Sequence, residues 1–304
     1  MDQPIDNIQL NFSEESLMVL NICLAFIMFG VALDLKPSDF KRLVKNPQGT
    51  VLGLISQFLV LPALTFLVIL ILNPMPSLAL GMIMVAACPG GNVSNFICTL
   101  ARGNVALSVT LTGLSSTFAV LLTPLNFTLW ASMLPGSETL ASDIHLNPTQ
   151  VIFTIITLLA VPLMLGMFTN SAFPETTAKI KRPVRILSII IFAAFVVIAF
   201  VNNFDFFVEY IHIIALLVLA HNAVALVGGY SMGRIFGQDQ PTCRAISIET
   251  GIQNSGLALV IIFNFFEGMG GMALIAAWWG IWHLISGSIL AYFWSRRAVA
   301  VSPA

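Results

Sequence analysis

Charge is what this sequence has least of. Asp, Glu, Lys and Arg supply 9% of its 304 residues, where an ordinary soluble domain carries about 25%. That scarcity excludes a large solvated exterior, and no basic cluster of the kind that grips nucleic acid occurs. Cysteine is scarce too. Cys23, Cys88, Cys98 and Cys243 form no CxxC pair, so the simple reading is four small buried thiols rather than disulfides or a metal site. GxSxG, HExxH and paired intramembrane aspartates are missing, which leaves an intramembrane enzyme as a remote alternative. The stretch from Met1 to Glu15 holds acids and no Lys or Arg, the wrong chemistry for the start of a signal peptide. The first apolar run is therefore read as a retained span.

What the chain has is apolar length. Hydrophobic residues make up 58% of it and the mean hydropathy is +0.94. Runs of about 17 to 25 apolar residues suffice to span a bilayer. The sequence predicts nine, over 16–34, 48–72, 76–101, 104–131, 149–169, 184–202, 208–233, 240–266 and 270–295, joined by short loops. The expected fold is an all-α polytopic membrane protein of nine transmembrane helices. Residues 1–15 form an external N-terminus, 16–295 the membrane unit and 296–304 a cytoplasmic tail. Lys and Arg collect on the cytoplasmic side of membranes. With the N-terminus outside, the internal segments take Lys36, Lys41, Arg42, Lys45, Arg102, Lys179, Lys181, Arg182, Arg185, Arg234, Arg244, Arg296 and Arg297, which is every basic residue. The external segments take only acids: Asp2, Asp6, Glu14, Glu15, Glu138, Asp143, Asp205, Glu209 and Glu267. One span more or fewer would scatter this pattern. The expected location is the cell inner or plasma membrane, multi-pass.

Two spans carry breaks. The third contains Cys88-Pro89-Gly90-Gly91-Asn92 and the eighth Thr250-Gly251 followed by Gln253-Asn254. Proline lacks an N–H and glycine resists the helix, so both breaks have a local cause. Backbone freed inside a bilayer is tolerated only where protein buries it or it lines a cavity. The interrupted spans lie five apart and hence run in opposite directions, which points to an inverted-topology repeat with two crossing discontinuous helices. Spans one to four would pair with six to nine. The second and seventh spans each carry an amide, Gln57 and Asn222, the latter beside His221. The plainer alternative is close packing of Gly-rich polar helices.

Glu249 is the single acid placed well inside a span. A structural carboxylate there would want a basic partner, and Arg244 lies about one and a half turns away; a cation or a proton is the other candidate partner. Ser94 and Asn95 follow the first break, Ser108 and Thr112 share one helix face, and Gln57 adds an amide oxygen. With the carbonyls freed at Thr250 and Ile252, these make an all-oxygen environment suited to a hard cation such as sodium. Singly, such hydroxyls usually back-bond to the preceding turn. The helix N-termini near Asn92 and Gln253 favour an anionic group of a substrate. Trp130 and Trp294 are read as interface anchors.

On Gln57 near Pro62, on residues Cys88 to Asn95, on Ala101-Arg102-Gly103-Asn104 with Ser108 and Thr112, and on Glu249 to Gly256, the chain resembles the bile acid:sodium symporters over nearly its whole length, in their nine-helix form. The resemblance implies two co-transported sodium ions. One site would use Ser94, Asn95, Ser108, Thr112 and Glu249; the other would use Gln57, Glu249, Gln253 and the carbonyls of Thr250 and Ile252. It implies a panel of spans 16–34, 149–169 and 184–202 and a core of 48–131 and 208–295. It also implies import of an organic anion, a small carboxylate or bile-acid-like compound, by alternating access. Substrate contacts would fall to Asn92, Asn254, Ser255 and His283, although His283 beside Trp282, with Trp278 and Trp279 one turn earlier, also reads as an aromatic packing face. A proton carried by Glu249 is the alternative coupling. The expected partners are sodium, the anion and the lipid bilayer, with no nucleic acid, in a monomer or weak dimer.

Overall fold

The computed structural model describes residues 5–7, 14–33, 47–91, 93–134, 153 and 156–296. Among them every regular element is helical: α1 (Glu14–Ala32), α2 (Pro47–Leu72), α3 (Pro76–Ala87), α4 (Val93–Leu100), α5 (Val105–Ser132), α6 (Val161–Ala172), α7 (Pro174–Asn202), α8 (Phe204–Ile235), α9 (Gln240–Gly251), α10 (Ser255–Phe265) and α11 (Gly270–Ser295). Helices α2, α5, α8 and α11 are long and apolar enough to cross a membrane. Large apolar side chains stand exposed on the outer faces, among them Ile71, Leu121, Leu216 and Phe293. Lipid is the solvent that makes such a surface stable, so this is a polytopic membrane protein. The basic run Lys36 to Lys45, the acids Glu138 and Asp143, and Arg297 lie outside the described residues.

Local chemistry sets the helix ends. Asn104 and Asp239 accept from the N–H groups of Leu107 and Thr242 and cap α5 and α9, while α2 stops at Asn73, which takes the left-handed conformation (φ 43°). Asp6 accepts from Ser77 N at 2.9 Å. That contact caps α3 from a short N-terminal turn whose Ile5 is fully buried.

Proline leaves a second mark inside α2. Ser56–Val60 forms a π turn, with Leu61 N bonded to Ser56 O, directly before Pro62. Pro62 has no N–H for the carbonyl one turn back, and the widened turn absorbs that loss. The same arrangement recurs where a π turn at Ile156–Ala160 precedes Pro162 in α6.

Small residues let the helices approach. A Cβ on Gly81 of α3 would lie 2.8 Å from Met272 Cα in α11, and one on Gly229 of α8 would lie 2.8 Å from Ser247 Cα and 2.9 Å from Ile246 O in α9. Near the acid-bearing end, α1 is tied to α10 by a reciprocal amide pair: Asn21 Nδ2 donates to Asn264 Oδ1 at 3.1 Å, and Asn264 Nδ2 donates back at 2.8 Å. Since the obstacle at Gly229 is backbone, Gly229→Ala should force α8 from α9 and destabilise the protein by about 1–3 kcal/mol. Thermal unfolding of the detergent-solubilised variant tests this; an unchanged midpoint would mean that α8 and α9 are not in contact there.

Candidate ion site at the paired helix breaks

The two interruptions face each other and repair each other. Gly91 N donates to Ile252 O at 2.7 Å and Asn254 N donates to Pro89 O at 2.9 Å, an antiparallel bridge centred on Gly90 and Gln253. Helix α9 runs through Gly251, so the second break falls at Ile252 to Asn254, just past the Thr250-Gly251 expected from sequence. Three further freed carbonyls are met by side chains from other helices. Thr123 donates to Ala87 O, Gln57 to Cys88 O and Asn222 to Gly251 O, each at 2.8 Å. Buried backbone groups demand such partners.

Glu249, 1% exposed, points into this junction. Ser94 Oγ donates to its Oε2 at 2.7 Å, Thr112 Oγ1 to its Oε1 at 2.7 Å, and Ser108 Oγ lies 3.3 Å from Oε2. Ser108 Oγ is closer to Asn95 Oδ1, at 2.9 Å, and Thr112 Oγ1 lies 3.3 Å from that same oxygen. The five residues of the first expected sodium site thus come together from α4, α5 and α9. Arg244, the basic residue nearest in sequence, instead donates through Nη1 to Ala101 O at 2.8 Å and stacks over the Trp294 ring with its guanidinium 5.7 Å from the centroid. It braces the end of α4, beside the left-handed Arg102 (φ 53°) and the Asn104 N to Pro241 O bond of 2.9 Å.

The hydrogens do not go round. Ser94, Asn95, Ser108, Thr112 and Glu249 bring six side-chain oxygens together, and their hydroxyls offer three hydrogens. Lone pairs are left over around a carboxylate, which is an electron-rich setting.

Of the second expected group, Gln57, Gln253 and the Thr250 carbonyl come together, with a different balance. Gln57, turned inward by the π turn, donates to Gln253 Oε1 at 2.8 Å and receives Gln253 Nε2 at 3.2 Å, while Gln253 Nε2 also reaches Thr250 O at 2.6 Å. Each amide hydrogen here has an acceptor, and Ile252 O already accepts from Gly91 N. Ser56, which the sequence reading passed over, lies 2.8 Å from Thr250 Oγ1. Thr250 spends its own hydrogen on Ile246 O, so Ser56 is the donor. Its position next to Gln57 was the available signal.

Among the expected substrate contacts, Asn254 caps α10 by accepting from Leu257 N, and its Nδ2 lies 3.8 Å from Met28 Sδ of α1. Ser255 is buried beside it. His283 is on α11, 6% exposed, its Nδ1 without a hydrogen-bond partner among the described residues. Asn92 lies outside the described residues.

Fold and site together define a polytopic α-helical membrane protein with a buried oxygen-rich centre where two interrupted helices meet. Residues 21–210 match the model of the Sodium Bile acid symporter family, and the chain belongs to that family. It is 32% identical over 278 residues to an uncharacterized sodium-dependent transporter of Bacillus subtilis, covering 91% of this chain and 83% of that one. It is 30% identical over 248 residues to the human ileal sodium/bile acid cotransporter, covering 80% and 68%. A probable chloroplastic sodium/metabolite cotransporter of Arabidopsis thaliana is 30% identical over 278 residues, 90% of this chain and 66% of that protein. These similarities place the chain among transporters rather than enzymes.

Gly90 makes room for the carboxylate: a Cβ there would overlap Glu249. Gly90→Ala should therefore displace Glu249 and remove any stabilisation of the protein by sodium in a thermal-shift assay. Retention of the full sodium-dependent shift would contradict this placement.

Proposed function

We propose that the protein is a sodium-coupled symporter that imports an organic anion, a small carboxylate or bile-acid-like compound, down the sodium gradient. The observation that carries the reading is the surplus of lone pairs around Glu249. Taking a carboxylate out of water costs several kcal/mol, and hydrogen bonds to a charged group return about 1.5–3 kcal/mol each. With three hydrogens shared among six oxygens, a hard monovalent cation is the natural remaining partner. Ser94, Asn95, Ser108, Thr112 and Glu249 are its ligands in this reading.

A second sodium would take Gln57, Glu249, Gln253 and the carbonyls of Thr250 and Ile252. Because the Gln57–Gln253 pair is already balanced, that ion binds only as the two amides turn away from each other, so it follows the first. The anion would lie against the N-termini of α4 and α10, with Asn92, Asn254, Ser255 and His283 as its contacts. Two sodium ions with one monovalent anion carry one net positive charge inward, worth ~2.3 kcal/mol per 100 mV. The N-terminus is outside and the tail cytoplasmic in this reading, and nine spans form an inverted repeat. A panel of spans one, five and six faces a core of the others.

Uptake into proteoliposomes, with and without a sodium gradient, is the deciding experiment. Glu249→Gln should abolish sodium-driven uptake of the anion and leave the protein folded; full coupling in that variant would remove Glu249 from the site. Uptake driven by a pH gradient alone would favour the alternative, in which Glu249 carries a proton. Thr112→Val should weaken sodium about tenfold, the worth of one ligand at about 1.4 kcal/mol, with substrate choice unchanged.

Core-against-panel movement requires the Asn21–Asn264 pair to part in every cycle, since it joins the first span to the second half of the eighth. In a background lacking the four native cysteines, an Asn21→Cys/Asn264→Cys disulfide should stop uptake and reduction should restore it. Unimpeded uptake with the crosslink formed would show that α1 and α10 stay together throughout transport.

A further inference from the structure

Helices α2, α8 and α11 enclose a second polar centre that the transport reading leaves unused. Its middle is His221 of α8, 0% exposed. The His221 Nε2 lies 2.7 Å from Thr65 Oγ1 of α2, and Thr65 Oγ1 donates to Leu61 O at 2.8 Å. A hydroxyl has one hydrogen, and this one is spent on Leu61. With that hydrogen on Leu61 O, Thr65 accepts from His221, and a neutral imidazole carries its proton on Nε2. Its Nδ1 is then a bare lone pair, buried and without a partner among the described residues.

The adjoining ring is Trp279 of α11, also 0% exposed, its centroid 4.5 Å from that of His221 and its plane tilted by 56°. The indole Nε1–H is likewise buried without a partner among the described residues. An acceptor lacking a donor and a donor lacking an acceptor thus sit on touching rings. Water is the small molecule that completes both, accepting with its oxygen and donating with a hydrogen.

We infer that one buried water molecule bridges Trp279 Nε1–H and His221 Nδ1. The result is a hydrogen-bond chain with a single direction: Trp279 to water, water to His221, His221 to Thr65, Thr65 to the Leu61 carbonyl. Bonds aligned in this way polarise one another, and buried polar groups without protein partners are where folded proteins hold ordered water. Completing two buried bonds outweighs the entropy of fixing one water.

The bridge also has a positioning task. Asn222, the next residue on α8, donates to Gly251 O at the second helix break and accepts from Ser286 Oγ of α11 at 2.6 Å. Water between His221 and Trp279 fixes the register of α8 on α11 beside that contact.

The test depends on neither the ion nor the cargo. Full-length protein 15N-labelled at tryptophan and reconstituted in lipid bilayers should show water-edited magnetisation transfer to one buried indole N–H, identified as Trp279 by its loss in Trp279→Phe. His221→Phe should abolish that transfer and leave the other four indole signals in place. A Trp279 signal that receives nothing from water overturns the inference, as does transfer that persists unchanged in His221→Phe. Should His221→Phe fail to fold, 15N-histidine labelling of the unsubstituted chain decides: a pyridine-type Nδ1 with a hydrogen-bonded shift supports the bridge, and a protonated Nδ1 overturns it.

Discussion

The exchange of backbone hydrogen bonds between the two helix breaks is the constraint on which the rest of the structure depends. Gly91 N to Ile252 O and Asn254 N to Pro89 O satisfy groups that neither segment could satisfy alone. Once those bonds are fixed, the side chains flanking the breaks have no choice of direction. Ser94 and Asn95 leave α4 toward α5, Glu249 leaves α9 toward the same point, and Gly90 supplies the gap between them. The oxygen cluster follows from the repair of the backbone.

Around that junction the protein separates two kinds of polar group. Carbonyls freed by the breaks are closed off by neutral donors from neighbouring helices: Thr123, Gln57 and Asn222. The carboxylate is given hydroxyls alone. Hydroxyls donate once and still present lone pairs, whereas an amide NH2 would have offered only hydrogens and a guanidinium would have neutralised the carboxylate. Arg244 illustrates the distinction, because its guanidinium is held at the Ala101 carbonyl and the Trp294 ring instead. A charge that would have made Glu249 a structural ion pair is spent on bracing the helix ends.

Much of this was legible in the sequence. Hydropathy located the helices to within a few residues, as in α2, α5 and α11, and longer by about ten residues at the start of α7, because lipid permits few exceptions to the rule that a span is apolar. Proline and glycine marked both breaks, and one carboxylate in an apolar run marked the candidate site. What could not be read was anything set by register. The π turn needs Pro62 together with the path of α2, so Ser56 went unnoticed beside Gln57. The Asn21–Asn264 and Gln57–Gln253 amide pairs join residues far apart in the chain, and no local pattern announces them. Nothing local sets Thr65 apart from other helical threonines, since its contact with His221 spans 156 positions of the chain.

The bridge between Gly90 and Gln253 also bears on how such a chain is made. The first break emerges early, yet the backbone that repairs it lies more than half the chain further on. Until that partner is synthesised, the Pro89 carbonyl and the Gly91 N–H must stay hydrated or borrow temporary partners inside or beside the membrane, because lipid offers none. Loop closure over so long a separation is slow. Residues 89 to 91 would therefore reach their final environment late in biogenesis, and the integrity of the centre reports on whether the chain has been inserted as far as Asn254.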